Sequence, residues 1–164
     1  MDGMDQLLDR TYAAEQAEQD REVQTDLLLE AGQYRTLPAL TLTVQESDRV
    51  NVTDPVSRSE RPRVSFRYFA QVQDEVTGKK GGLGFTISPD KVSNANGRPD
   101  SASTKWVQAK NAFRASTGRE PATIREVAEF VRDYPVRLRV TRLEGNERFP
   151  DPSNFVQSIG VVRD

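Results

Sequence analysis

The sequence of 164 residues predicts an α+β fold that is mainly β: an antiparallel β-barrel with two packed helices and an N-terminal helical arm. Two observations support this prediction. Several short runs alternate apolar and polar residues, as strands with one buried face do, and two segments in the second half show helical spacing. A chain of this length holds one domain with a sizeable core, so we expect the arm at 1–30 and the domain at 31–164.

The arm is strongly acidic. Residues 1–30 hold nine acidic side chains against Arg10 and Arg21, a net charge of -7, so the rest of the chain carries +5 of the total of -2. Its apolar residues have the spacing of one helical stripe: Met4, Leu7, Leu8 and Tyr12. We expect this stripe to bind a protein partner or a second copy of the chain, or the acidic arm to shield the basic face of the domain. The alternatives are a partly disordered leader or a helix that is charged only for solubility.

The first strands follow from alternation along residues 32–74. Tyr34, Thr36, Leu40, Leu42 and Val44 share parity around Pro38, which predicts a strand with the proline at a bulge or edge. Residues 48–63 are polar and rich in proline, which is typical of a loop. A second strand has an apolar face of Val64, Phe66, Tyr68, Ala70 and Val72. Its other face carries Ser65, Arg67, Phe69, Gln71 and Gln73, and we expect this face to be exposed to solvent.

The glycine-rich stretch "TGKKGGLGFTIS" at 77–88 resembles a phosphate-binding loop at first sight. Its spacing fits neither the Walker loop nor the dinucleotide fingerprint, and a strand follows it where both motifs need a helix. We therefore expect a hairpin, with Gly78, Gly81 and Gly82 in the positive-φ region of the turn and Gly84 at a close backbone approach or a bulge on the returning strand. Leu83, Phe85 and Ile87 form the apolar set of the returning strand.

Two helices and two strands are predicted in the second half. Asp100 or Ser101 caps a helix that carries Trp106, Ala109 and Phe113 on one face and ends at Gly118. Thr123 and Glu126 form a capping box before the stripe Ile124, Val127, Ala128 and Val131, and that helix ends at Pro135. The segments "VRLRVTRLEG" and "FVQSIGVVR" are the closing strands, with Val136, Leu138 and Val140 facing the core.

Composition restricts the chemistry that the chain can perform. Cysteine and histidine are both absent, which excludes disulfides, zinc fingers, thiol nucleophiles, histidine bases and most transition-metal sites, so we expect no enzyme, no cofactor and no metal site. The carboxylates at Pro89-Asp90 and Pro99-Asp100 lack the residues that complete a metal-dependent nuclease signature. No apolar run is long enough to span a membrane and no signal peptide is recognisable, so we expect a cytoplasmic protein without membrane contact.

A basic and aromatic set of residues is the candidate site. Phe69 and Arg67 share the solvent-exposed face of the second strand. Arg137 and Arg139 alternate with apolar residues on a later strand, and Lys79 and Lys80 lie at the hairpin tip. Cations that follow a phosphate backbone, with a ring on which a base stacks, are typical of single-stranded nucleic-acid binding. In the alternative interpretation Phe69 packs under a helix and the arginines form a solvated strand face.

Residues 30–164 resemble the small phage-type OB-fold proteins that bind single-stranded DNA in replication or recombination. The resemblance rests on "GQY" in the first strand, on "TGKKGGLGF", and on "KWVQAKNAF" to "YPVRLRV". It implies an OB-like antiparallel β-barrel, a non-catalytic role and a host cytoplasm as location. Such proteins commonly carry an acidic C-terminal tail. In this sequence the acidic segment is N-terminal. Either the arm recruits partners as such a tail does, or the likeness is one of architecture alone.

Two other functions fit the same residues. A virion or assembly protein of similar fold would use the basic strand face and the arm to contact neighbouring subunits in a homo-oligomer. An adaptor or inhibitor would present the acidic helix to a host protein as a mimic of nucleic acid. An enzyme is the class that the composition favours least.

Overall fold

The computed structural model describes residues 28–145, 147–148 and 150–162. The α+β class is confirmed: these residues form five strands and two helices, and none of their helices is long and apolar enough to cross a membrane. The strands are β1 (Gly32–Thr53), β2 (Glu60–Asp74), β3 (Lys80–Ile87), β4 (Val136–Leu143) and β5 (Ser153–Val161). The helices are α1 (Ser101–Thr117) and α2 (Ile124–Asp133), both between β3 and β4.

The strands form one antiparallel sheet in the order β3-β2-β1-β4-β5. Strand β1 is long and bent, and it pairs with β2 along most of its length but with β4 only through Gly32–Arg35. The sheet is open between its edge strands β3 and β5, so the closed barrel of the prediction is not confirmed.

One face of the sheet packs against the helices and forms the core, and we call it the inner face. The predicted alternation is confirmed in β3 and β4, where each apolar residue of the expected set is buried. Tyr68 of β2 is fully buried, and its hydroxyl donates to the Ala128 carbonyl of α2 at 2.8 Å. Val44 is 60% exposed although it has the parity of the core residues. It lies further along β1 than Leu40, the last fully buried residue of that strand.

The predicted loop at residues 48–63 is wrong for most of its length. Residues 48–53 belong to β1 and residues 60–63 to β2, and they pair in register from Asn51 with Pro62 to Thr53 with Glu60. This ribbon buries few side chains, and its hydrophobic alternation is limited to the half-buried Val50 and Val52. Such a short pattern does not predict a strand, and the backbone pairing identifies the ribbon as two strands.

The helix ends agree with the prediction. Asp100 caps α1 by accepting from the Ser103 amide at 3.0 Å, and Gly118 ends it at φ 73°. Thr123 caps α2 by accepting from the Glu126 amide at 3.1 Å. Ile124 is 52% exposed, so it does not share the buried stripe of α2 as predicted, because it lies in the first turn beyond the sheet-facing residues.

Residue Leu29 joins the two edges of the open sheet. Its backbone N–H and C=O pair with the side-chain amide of Asn154 on β5, at 2.9 and 2.7 Å. Its side chain packs on Gly81 of β3, where an added Cβ would lie 2.5 Å from Leu29 Cδ2. Gln108 of α1 accepts from the outward-facing amide of Ile159 at 2.9 Å. Leu29 and α1 therefore cover part of the two edge strands, which do not pair with each other.

Two arginines of β2 hold the loop between β3 and α1. Arg63, which is 9% exposed, forms a bidentate pair with Asp100 at 2.6 and 2.9 Å and also donates to Ser88 and Ser103. Arg61 forms a similar pair with Asp90 at 2.7 and 2.8 Å. The two carboxylates that the sequence offered for a metal site are therefore bound to guanidinium groups, and they fasten the loop to the sheet.

The β1–β2 and β2–β3 turns have the same construction. Asp54 Oδ1 accepts from the backbone amides of the residues two and three positions later, at 2.9 and 3.0 Å, and Asp74 does the same at 2.7 and 3.0 Å. The fifth residue of each turn is left-handed: Arg58 at φ 63° and Gly78 at φ 75°. Gly81 and Gly82 lie inside β3 without positive φ, so the predicted turn role is confirmed for Gly78 alone.

Replacing Arg58 with glycine is expected to raise the free energy of unfolding by about 0.5 to 1 kcal/mol. A non-glycine residue in the left-handed region costs about 1–2 kcal/mol, and the backbone entropy of glycine offsets part of that gain. Urea denaturation measures the difference. Gly78→Ala in the equivalent turn is the control and should have the opposite sign. A loss of stability in Arg58→Gly would contradict this account of the turn.

Candidate nucleic-acid interface

The face of the sheet opposite the core carries most of the residues predicted to bind nucleic acid, and we call it the outer face. Arg67 and Phe69 alternate with the buried residues of β2, and the Phe69 side chain is 53% exposed. Neither described helix covers this ring, so within the described part of the chain Phe69 does not pack under a helix. Both helices lie on the inner side of the sheet.

Two glycines of β3 leave room for these two side chains to lie over the backbone of that strand. A Cβ added at Gly82 would lie 3.0 Å from Phe69 Cζ, so the ring rests on the bare backbone of the neighbouring strand. A Cβ added at Gly84 would lie 2.8 Å from Arg67 Nη2. Arg67 Nη1 also donates to Thr86 Oγ1 at 3.2 Å, and its Nη2 lies over Gly84, the residue opposite Phe69 in the register. The result is an exposed aromatic ring and a cation two residues apart on the same face of β2.

Basic residues form a row across the sheet at one end of this face. The register pairs Lys80 of β3 with Gln73, Gln73 with Arg35, and Arg35 with Arg137 of β4. Residues directly opposite each other in an antiparallel pair share a face, so the row brings three cations to the outer face. Arg139 lies two residues further along β4 and is exposed. Arg35 was not among the predicted residues, because its only signal in the sequence is a parity opposite to that of the buried Tyr34.

Carboxylates reduce the positive charge of this row at one point. Glu75 forms an ion pair with Arg137 at 2.9 Å. Asp74 lies beside it, and amide donation from Thr77 and Val76 lowers the pKa of its carboxyl. Together with Arg35 these residues line a polar cleft of about 600 Å³. Arg137 is thus partly neutralised, whereas Arg139 has no ion pair within the described part of the chain.

The two lysines of the hairpin are exposed, as predicted. Lys80 begins β3 and faces outward with its partner Gln73. Lys79 belongs to the turn, where its backbone amide donates to Thr77 Oγ1 at 3.3 Å. The six predicted residues therefore form two groups, Arg67 with Phe69 and the remainder near the basic row. Along β2 the groups are separated by about four to six residues, or roughly 13 to 20 Å.

The residues predicted to bind a partner lie outside the described part of the chain: Met4, Leu7, Leu8 and Tyr12. Comparison with protein-family models, with curated proteins and with solved structures finds no match to this chain. The case for a function therefore rests on the residues and their arrangement.

Proposed function

We propose that the chain binds single-stranded DNA on the outer face without catalysis, as an accessory of replication or recombination. The observation that carries the proposal is the Phe69 ring, which is 53% exposed and rests on Gly82, with Arg67 two residues away on the same face of β2. An exposed ring of this kind offers a stacking surface to any base, and an adjacent guanidinium can meet the phosphate that follows it.

The basic row extends the same surface. A strand whose base stacks on Phe69 would pass over the glycines of β3 and place later phosphates near Lys80 and Arg35. The distance along β2 from Arg67 to Gln73 is about 20 Å, which corresponds to a short segment of several nucleotides. Sequence-tolerant binding follows from this chemistry, because stacking and phosphate contacts read no base edges.

The topology supports an OB-like assignment. Closing the sheet in its observed order would bring β3 against β5, and α1 packs on both of these strands. A partly open five-stranded barrel that binds oligonucleotides on the face of its second and third strands is the OB arrangement. In this chain those strands carry Arg67 and Phe69 together with Gly82 and Gly84.

The affinity of the full chain for fluorescent oligo-dT is expected to fall steeply with salt. Single strands give a slope of log affinity against log salt near -0.7 per phosphate neutralised. Neutralisation of about four phosphates therefore predicts a slope of about -3. Fluorescence anisotropy at several salt concentrations measures it. Lys80→Gln should make the slope less steep by about 0.7.

Arg125→Gln is the matched control for the salt titration, because it removes one exposed charge from α2 on the other side of the sheet. Its slope should equal that of the unaltered chain. Undetectable binding at low salt would refute the proposal and favour an assembly or adaptor role. A slope that changes equally in both variants would show that net charge, and not the outer face, attracts the DNA.

A further inference from the structure

A cleft of about 450 Å³ lies between helix α1 and the loop that follows β3. Pro89 and Pro99 belong to its wall, and Trp106 and Val107 of α1 lie along it. Trp106 is 6% exposed, whereas the apolar side chain of Val107 is 49% exposed. The cleft therefore presents apolar surface that the described part of the chain leaves open.

The rim of the cleft is basic. Lys91 and Lys110 line it, and no carboxylate belongs to its described lining. Neither lysine forms an ion pair with a residue that the structure describes. Apolar lining residues together with two such cations favour an occupant that combines apolar side chains with negative charge.

The chain itself contains a segment of this composition. Residues 1–12 read MDGMDQLLDRTY, with three aspartates against one arginine. The apolar side chains of this segment are Met4, Leu7, Leu8 and Tyr12. Its charge and its apolar content both complement the cleft.

The point where the segment joins the domain lies within reach of the cleft. Leu29 is held between Gly81 of β3 and Asn154 of β5, and Ser88, just beyond the other end of β3, lines the cleft. Seven residues of strand separate Gly81 from Ser88, which is roughly 23 Å. Residues 13–28 would span roughly 24 Å as a helix and about 50 Å when extended.

We propose that residues 4–12 dock in this cleft of the same chain, with their apolar side chains against Trp106 and Val107 and their aspartates near Lys91 and Lys110. The cleft shares no residue with the outer face, so this inference is independent of the proposed DNA binding. It gives the acidic arm a site on its own domain.

Disulfide formation in the full chain tests the docking, because the chain has no cysteine of its own. In the Leu8→Cys/Val107→Cys variant, an intramolecular disulfide is expected to form at least about tenfold faster than in Leu8→Cys/Val76→Cys, since docking raises the effective concentration of the two thiols. Val76 is 92% exposed in the β2–β3 turn, so random collision would favour the control pair. Non-reducing electrophoresis and mass spectrometry follow the reaction without any DNA.

Charge reversal on the rim provides the second measurement. Lys91→Glu with Lys110→Glu, added to the Leu8→Cys/Val107→Cys pair, should slow the disulfide several-fold and leave the Val76 pair unchanged. Equal rates in the two cysteine pairs would overturn the proposal. Covalent dimers as the main product would also overturn it, because they would place the segment of a second copy in the cleft.

Discussion

Replacing Arg63 with methionine is expected to lower the free energy of unfolding by about 3 kcal/mol, because it leaves a partly buried carboxylate without its cation. The guanidinium is the common partner of Asp100, Ser88 and Ser103. The Asp100 side chain is 27% exposed and can recover some hydration, which places the loss at the lower end for buried pairs. Urea denaturation with the unaltered chain as reference measures the change.

Two further variants separate the ion pair from general effects of losing an arginine. Arg114→Met breaks the exposed pair with Glu120, and it should cost less than about 1 kcal/mol. Arg63→Met/Asp100→Asn should be more stable than Arg63→Met alone, since asparagine still caps α1 and carries no charge. If Arg63→Met costs no more than Arg114→Met, the network does not stabilise the fold.

The same network makes the free energy of unfolding depend on pH in the acidic range. Burial raises the pKa of Asp100, but hydrogen bonds from Arg63 and Ser103 outweigh it and lower the pKa to about 2. A carboxyl whose pKa is lower in the folded state stabilises the fold fully above its unfolded pKa near 3.9, and this contribution is lost as the pH falls toward about 2. The pH dependence in this window should weaken in Arg63→Met.

Phe69→Ala is expected to weaken the binding of oligo-dT by about 1–3 kcal/mol, or roughly 5- to 150-fold, because it removes the stacking surface for one base. The fold should remain, since half of the ring is already exposed to solvent. Anisotropy titration at low salt measures the affinity. Phe69→Trp should restore most of it, since any large ring serves as a platform.

Two other variants test whether the position of the ring matters. Val44→Ala truncates a side chain that is 60% exposed on the other side of the sheet, and it should leave the affinity unchanged. Gly82→Val places a side chain where the Phe69 ring now rests, and it should weaken binding without changing the ring itself. Equal affinity of Phe69→Ala and the unaltered chain would remove the central support for the proposed function.

Local pattern was sufficient to predict the strands that have one buried face. In β3 and β4, and in β2 from Phe66 to Val72, every second side chain is buried in the core, so the alternation in the sequence reflects burial. Val64, which was predicted on the same face of β2, is only half-buried. The capping residues Asp100, Thr123 and Gly118 were predictable for a similar reason, because each acts on backbone groups within a few residues of itself.

The candidate site could be predicted only in part. Phe69 and Arg67 were identifiable because they alternate with core residues of one strand. Arg35 and the basic row were not, since the register among four strands brings Lys80, Arg35 and Arg137 together. Gly84 was predicted at a close approach, which Arg67 makes, but the contact of Gly82 with the Phe69 ring was not predicted, because it depends on the register between β2 and β3.

The sequence by itself determined the α+β class, the inner face of each core strand, the helix ends and the charge contrast between residues 1–30 and the rest. These properties depend on residues near each other in the chain. Only the tertiary structure decided that Arg61 and Arg63 bind Asp90 and Asp100, that residues 48–53 and 60–63 form a ribbon, and that Leu29 joins the two sheet edges. Each of these depends on pairing between distant segments, which strand register and packing select and local composition does not.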